Sequence, residues 1–162
     1  MRIRAFLADS VQAVEGKLYV LGAGWNRLAT RRFPARHDRV GIGALIVLEP
    51  GEAGRHSLTL RLLDPDDKPT TRATDPQGVA RQAIRIGFGA DAATDGLDEM
   101  IVPFALNLDG LVFEGPGVYS FELGIDDGQP DRLTFKVDLA AEPWAGADDA
   151  TTARAATEAG YL

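Results

Sequence analysis

The chain has 162 residues, enough for one filled core and too few for two of comfortable size. Its 45% apolar and 25% charged content is that of an ordinary folded domain, and no apolar run nears the ~20 residues that span a bilayer. A formal charge of -7 opposes general binding to nucleic acid or anionic membranes, and the absence of cysteine excludes disulfides, zinc–thiolate sites and thiol catalysis.

The opening "MRIRAFLADS" places Ile3, Ala5 and Leu7 at strand spacing. Its apolar stretch is too short for a secretory core, so the expected location is the cytoplasm. After the turn residues Glu15 and Gly16, "KLYVLGAGWNRL" carries an apolar run into Gly22-Ala23-Gly24. A dinucleotide fingerprint would need a third glycine at the start of a helix, but Arg27 occupies that position and no helical pattern follows. The segment therefore reads as a sandwich strand with Leu18 and Val20 facing the core, and the glycines allow the chain to bend. Between Asn26 and Arg39, the five residues Arg27, Arg31, Arg32, Arg36 and Arg39 face only Asp38, leaving this segment at +4. It reads as a loop whose arginines either pair with acidic turns or present Arg27, Arg31, Arg32 and Arg36 to an anionic or acidic partner.

"VGIGALIVL", Val40 to Leu48, is apolar throughout and predicts a central strand covered on both faces. His37 and His56 lie in polar stretches, have no metal-ligand spacing, and read as solvated loop residues. Leu58, Leu60 and Leu62 alternate with polar residues, as do Val102 to Leu108, Tyr119 to Ile125 and Leu133 to Leu139. Two acidic turns separate these runs, one with Asp64, Asp66 and Asp67, the other with Asp126, Asp127 and Asp131. Placed at one end of a sandwich, such turns could hold calcium, although Asp, Gly and Pro are also ordinary turn formers. About eight or nine strands at regular spacing predict an all-β fold, an antiparallel β-sandwich over residues 1–139. Residues 140–162 read as an Ala-, Thr- and Asp-rich flexible tail, with a short helix from Asp148 or Asp149 as an option and Trp144 as its anchor.

Two resemblances add to this. "FLADSVQAVEGKLYVLGAGW" and "ALNLDGLVFEGPGVYSFELGID" resemble a family of small bacterial proteins of uncharacterised function, which open on a Gly-Lys-Leu-x-x-Leu-Gly strand and close on a Pro-Gly-x-Tyr strand. The resemblance spans most of residues 1–139, implies a β-sandwich, and transfers no catalytic residue. The final Tyr161 and Leu162 resemble the C-terminal docking tails of proteasome activators, with Gly160 where the actinobacterial ending has glutamine. The expected function is a non-catalytic interaction or assembly module, binding a protein partner or itself, with no cofactor. A calcium-dependent module, a proteasome-associated factor and a small-ligand enzyme are the alternatives.

Overall fold

A computed structural model describes residues 1–49, 51–70, 73–74, 80–90 and 99–140. The expected tail beyond Ala140, with Trp144, Tyr161 and Leu162, lies outside the described residues. In chain order the strands are β1 (Arg2–Ala8), β2 (Ser10–Val14), β3 (Lys17–Leu21), β4 (Arg27–Thr30), β5 (Ala35–Leu48), β6 (Gly54–Leu63), β7 (Ala73–Thr74), β8 (Ala80–Arg81), β9 (Ile84–Ala90), β10 (Met100–Phe113), β11 (Gly117–Ile125) and β12 (Asp131–Leu139). No described segment is helical, so none forms a helix long and apolar enough to cross a membrane.

Two sheets face each other, as the alternating pattern predicts. One has the order β1-β5-β10 and the other β4-β12-β11-β6-β9. Pairing is antiparallel except between β12 and β4, which run parallel. Register explains the core. In the second sheet Phe121 stands opposite Leu62 and Leu123 opposite Leu60, while Phe135 stands opposite Tyr119, so the apolar faces of three strands coincide. In the first, Ile42 aligns with Leu7 and Leu106, and Ile46 with Ile3 and Val102. Within the second sheet Phe121 stacks on Phe135 at 5.4 Å, and across the two sheets Phe113 meets Tyr119 edge-on at 4.9 Å. Each fully buried Leu or Phe of this kind contributes about 1.5–3 kcal/mol.

The second face of β5 is covered by close backbone approach. The main chain of Ser10 passes over Gly41, where an added Cβ would lie 3.1 Å from it, and the Phe6 ring sits on Gly43. Only Leu45 of the Val40–Leu48 run stays half-exposed. On β10 the buried positions run Phe104, Leu106, Leu108 and then Leu111, Phe113. This one-residue shift falls at Gly110, whose φ of 68° is open to glycine and strained for other residues.

Candidate functional site

The segment expected to be a core strand lies outside both sheets. β2 and β3 form a hairpin of their own, closed by Glu15 and Gly16 at φ of 49° and 71°. Two consecutive positive φ values between Val14 and Lys17 make the tight turn that suits the twist of paired strands. The return at Gly22 (φ 63°) and Gly24 (φ 93°) is equally demanding, and a side chain on Gly22 would overlap the Asp9 carboxylate. The glycines thus bend the chain as expected, at the exit of a hairpin.

The hairpin is pinned at its base. The Asn107 side chain accepts from the Val11 N–H at 3.0 Å and donates to the Val11 carbonyl at 2.8 Å, replacing a neighbouring strand at that residue. Asp9 N–H donates to Leu21 O, and Gly24 N–H to Leu7 O, both at 3.0 Å. Val11 is buried as a result. Ser10 and Leu18, the latter expected to face the core, are half-buried, and the rest of the hairpin is exposed. Of seven exposed large apolar side chains among the described residues, four stand on it: Val14, Tyr19, Val20 and Leu21. Val20 was expected to face the core and is 40% exposed, because the hairpin leaves the sandwich before any opposing sheet can cover it. Among the described residues β3 pairs with β2 alone, so its second edge presents main-chain groups without a strand partner.

A second constellation involves His56. It was expected to be a solvated loop residue. It stands on β6 in step with Leu58 and Leu60, its side chain is 12% exposed, and its ring lies 5.4 Å from that of Phe88. Nδ1 is 2.9 Å from an Asp126 carboxylate oxygen and Nε2 is 2.9 Å from the backbone carbonyl of Glu52. The other Asp126 oxygen accepts from the Ser57 N–H at 2.8 Å. Asp126 raises the pKa of His56, helped by the Glu52 carbonyl. In turn His56, with the Ser57 N–H, holds Asp126 below the usual carboxylate range. Glu52 is held low by the N-terminal ammonium first and by the Glu49 N–H second. His37 is half-buried as well, edge-on to Trp25 at 6.3 Å.

The acidic turns do not converge. β6 and β11 are antiparallel, so the Asp126 turn sits beside Ser57 and the Asp64 turn follows Leu63 at the other end of β6. Leu58 to Leu63 alone spans about 17 Å at ~3.4 Å per residue. The single-ended layout on which the calcium reading depends is therefore not the one found. Among the described residues no three His, Asp or Glu side chains are grouped to hold a metal. The aspartates serve local bonding. Asp64 Oδ1 accepts from the N–H groups of Asp66 and Lys68, both at 2.9 Å. Asp66 pairs with Lys68 and Asp67 with Arg132, while Asp131 accepts from the Arg132 N–H. Asp127 borders a shallow hollow with Arg61, Arg85 and Glu122.

The arginines do not form one loop. Arg27 lies on β4, Arg31 and Arg32 precede the cis Phe33–Pro34 bond, and Arg36 and Arg39 lie on β5. Arg36 lies over Gly110, while Arg39 binds Asp109 through two hydrogen bonds of 2.6 and 3.0 Å. Among the described residues Arg27, Arg31, Arg32 and Arg36 make no ion pair and are exposed. Two surface clefts accompany these features: one of about 380 Å³ beside Asp64, Pro65 and Tyr119, and one of about 710 Å³ between Ile3, Ile125 and Pro130.

The hairpin was missed because the apolar run Leu18–Leu21 matches that of a buried strand. His56 was missed although the Leu58–Leu62 alternation, carried back one step, puts it on the buried face. Its acceptor Asp126 is 70 residues away in the chain. No curated protein matches this chain. Residues 3–138, close to the span of the resemblance drawn from sequence, match the family of unknown function DUF6941. The chain belongs to that family.

Proposed function

We propose that the protein is a non-catalytic, cytoplasmic interaction module that docks an extended strand of a protein partner along β3. The observation that carries this reading is the five-residue strand β3 itself, paired on one edge only among the described residues and bearing Tyr19, Val20 and Leu21 in solvent. A free strand edge is a ready template for another chain, and the added strand gains affinity from main-chain hydrogen bonds and specificity from alternate side chains. Charge supports an uncharged partner segment. In a chain of -7, residues 10–21 carry only Glu15 and Lys17, both at the tip of the hairpin. The interior between the sheets is filled by apolar side chains, which leaves binding to the surface.

The test uses the full chain. Light scattering over a range of concentrations asks whether the added strand is that of a second copy. Binding to a purified partner is then compared for wild type, Tyr19→Asp and Leu21→Asp. Loss of at least about tenfold in affinity for either variant, or of the self-association, supports the reading. A monomer whose partner binding ignores both substitutions overturns it.

A further inference from the structure

The ring of His56 is held between two oxygens that can only accept. One belongs to the ionised carboxylate of Asp126 in the turn between β11 and β12, the other to the backbone carbonyl of Glu52 in the turn between β5 and β6, each at 2.9 Å. A neutral imidazole carries one N–H and one lone pair. It can satisfy one of these oxygens, and it then directs a lone pair at the other. The imidazolium, with two N–H donors, satisfies both. We propose that His56 is a proton-operated latch, which fastens the β5–β6 turn to the β11–β12 turn when doubly protonated and releases the β5–β6 turn when it loses a proton.

The order of release follows from bond strength. A hydrogen bond to a carboxylate is roughly twice as strong as one to a neutral carbonyl. The neutral ring therefore keeps its Nδ1 proton on Asp126 and gives up the proton on Nε2, so the Glu52 carbonyl loses its donor. The groups facing the ring agree with this. Asp126 approaches from the β11–β12 turn and the Glu52 carboxylate from the β5–β6 turn, both negative and both favouring the cation. From β9 the neighbour is the uncharged ring of Phe88. The Glu52 carboxylate also binds the Met1 ammonium and accepts from the Glu49 N–H at 2.8 Å, so the turn holds a second proton carrier that the test must separate.

The sign is fixed by the direction of the shift. His56 is raised above its ordinary value of about 6.5, so the latch is fully closed below that pH and opens as pH climbs through the higher value in the folded protein. This device is independent of the proposed docking along β3.

Nitrogen-15 and proton NMR of the full chain between pH 5 and 9 decides it. Expected are protons on both ring nitrogens of His56 at the acid end, a midpoint above the ordinary histidine value, and retention of the Nδ1 proton at the basic end. Amide exchange at Glu49 and Glu52, corrected for intrinsic rates, should lose protection with the same midpoint. Asp126→Asn should lower that midpoint, whereas Glu52→Gln, which removes the partner of the ammonium and keeps the backbone carbonyl, should leave the His56-linked opening in place. A midpoint at or below the ordinary value overturns the latch, as does turn protection that does not follow His56. If Asp126→Asn fails to fold, the wild-type titration and the Glu52→Gln variant still decide.

Discussion

The sandwich interior and the β2–β3 hairpin both draw on strands rich in large apolar side chains, yet these end in opposite environments. Phe121 and Leu123 have no exposed surface, because the facing sheet supplies apolar neighbours to every buried position. Tyr19 and Leu21 are 55% and 69% exposed, because their hairpin leaves β1 over Gly41 and no described element covers its outer side. Burial is thus a property of how elements are paired, not of a strand alone. The two regions are also held differently. Packing holds the interior, whereas main-chain bonds and the Asn107 side chain hold the hairpin. Stability therefore rests on the sandwich, while four of the seven exposed large apolar side chains among the described residues are gathered on the short hairpin.

That separation breaks first if the interior tolerates truncation. Phe121→Ala removes a ring stacked at 5.4 Å on Phe135 and leaves a cavity between the sheets. Urea unfolding should show a loss of about 3–5 kcal/mol. A much smaller loss would mean that the interior is loosely filled and that the contrast with the hairpin is overstated. Next in size is Asn107→Ala. It deprives the Val11 N–H and carbonyl of their partners, and each partly buried group left unsatisfied costs roughly 1–3 kcal/mol. The loss should be local. Amide exchange should quicken at residues 10–21 while β6, β11 and β12 keep their protection. A uniform change would show that hairpin and sandwich unfold as one unit.

Smaller still is the effect expected on the hairpin surface. Tyr19→Asp and Leu21→Asp should each move the unfolding free energy by no more than about 0.5 kcal/mol, since exposed positions carry little packing. Destabilisation on the scale of Phe121→Ala would mean that something covers this surface in the folded chain.

The same contrast explains what the sequence disclosed. The runs at Leu58–Leu62 and Tyr119–Leu123 were legible as core strands, since each alternates strictly and pairs with another of its kind. Lys17–Leu21 becomes an apolar run after its first residue, and such a run marks a strand without naming what lies on either side of it. The acidic turns have similar composition and sit at opposite ends of β6, because antiparallel pairing with β11 sends them apart. His56 needed the backbone carbonyl of Glu52 and a carboxylate 70 residues away, neither of which has a local signature. The shift of the buried face at Gly110 is likewise a conformational event, visible in its positive φ and hidden in a glycine that could equally mark a turn.

The smallest expected effect belongs to Arg39 and Asp109, and it tests whether surface pairing contributes to the division between regions at all. Register places them opposite each other on β5 and β10, and the guanidinium meets both carboxylate oxygens. Their side chains are nonetheless 50% and 61% exposed, so water and salt compete for both groups. Arg39 holds Asp109 below the usual carboxylate range, so any stabilisation is present above the ordinary value of about 3.9 and is lost as pH falls through the lower value in the folded protein. Asp109→Asn should therefore shift the unfolding midpoint slightly at neutral pH and low salt, and the difference from wild type should vanish both in 1 M salt and at strongly acid pH. A difference that survives high salt would show that the pair acts through geometry instead, aligning β5 with β10 beside Gly110, where both strands change the face they bury.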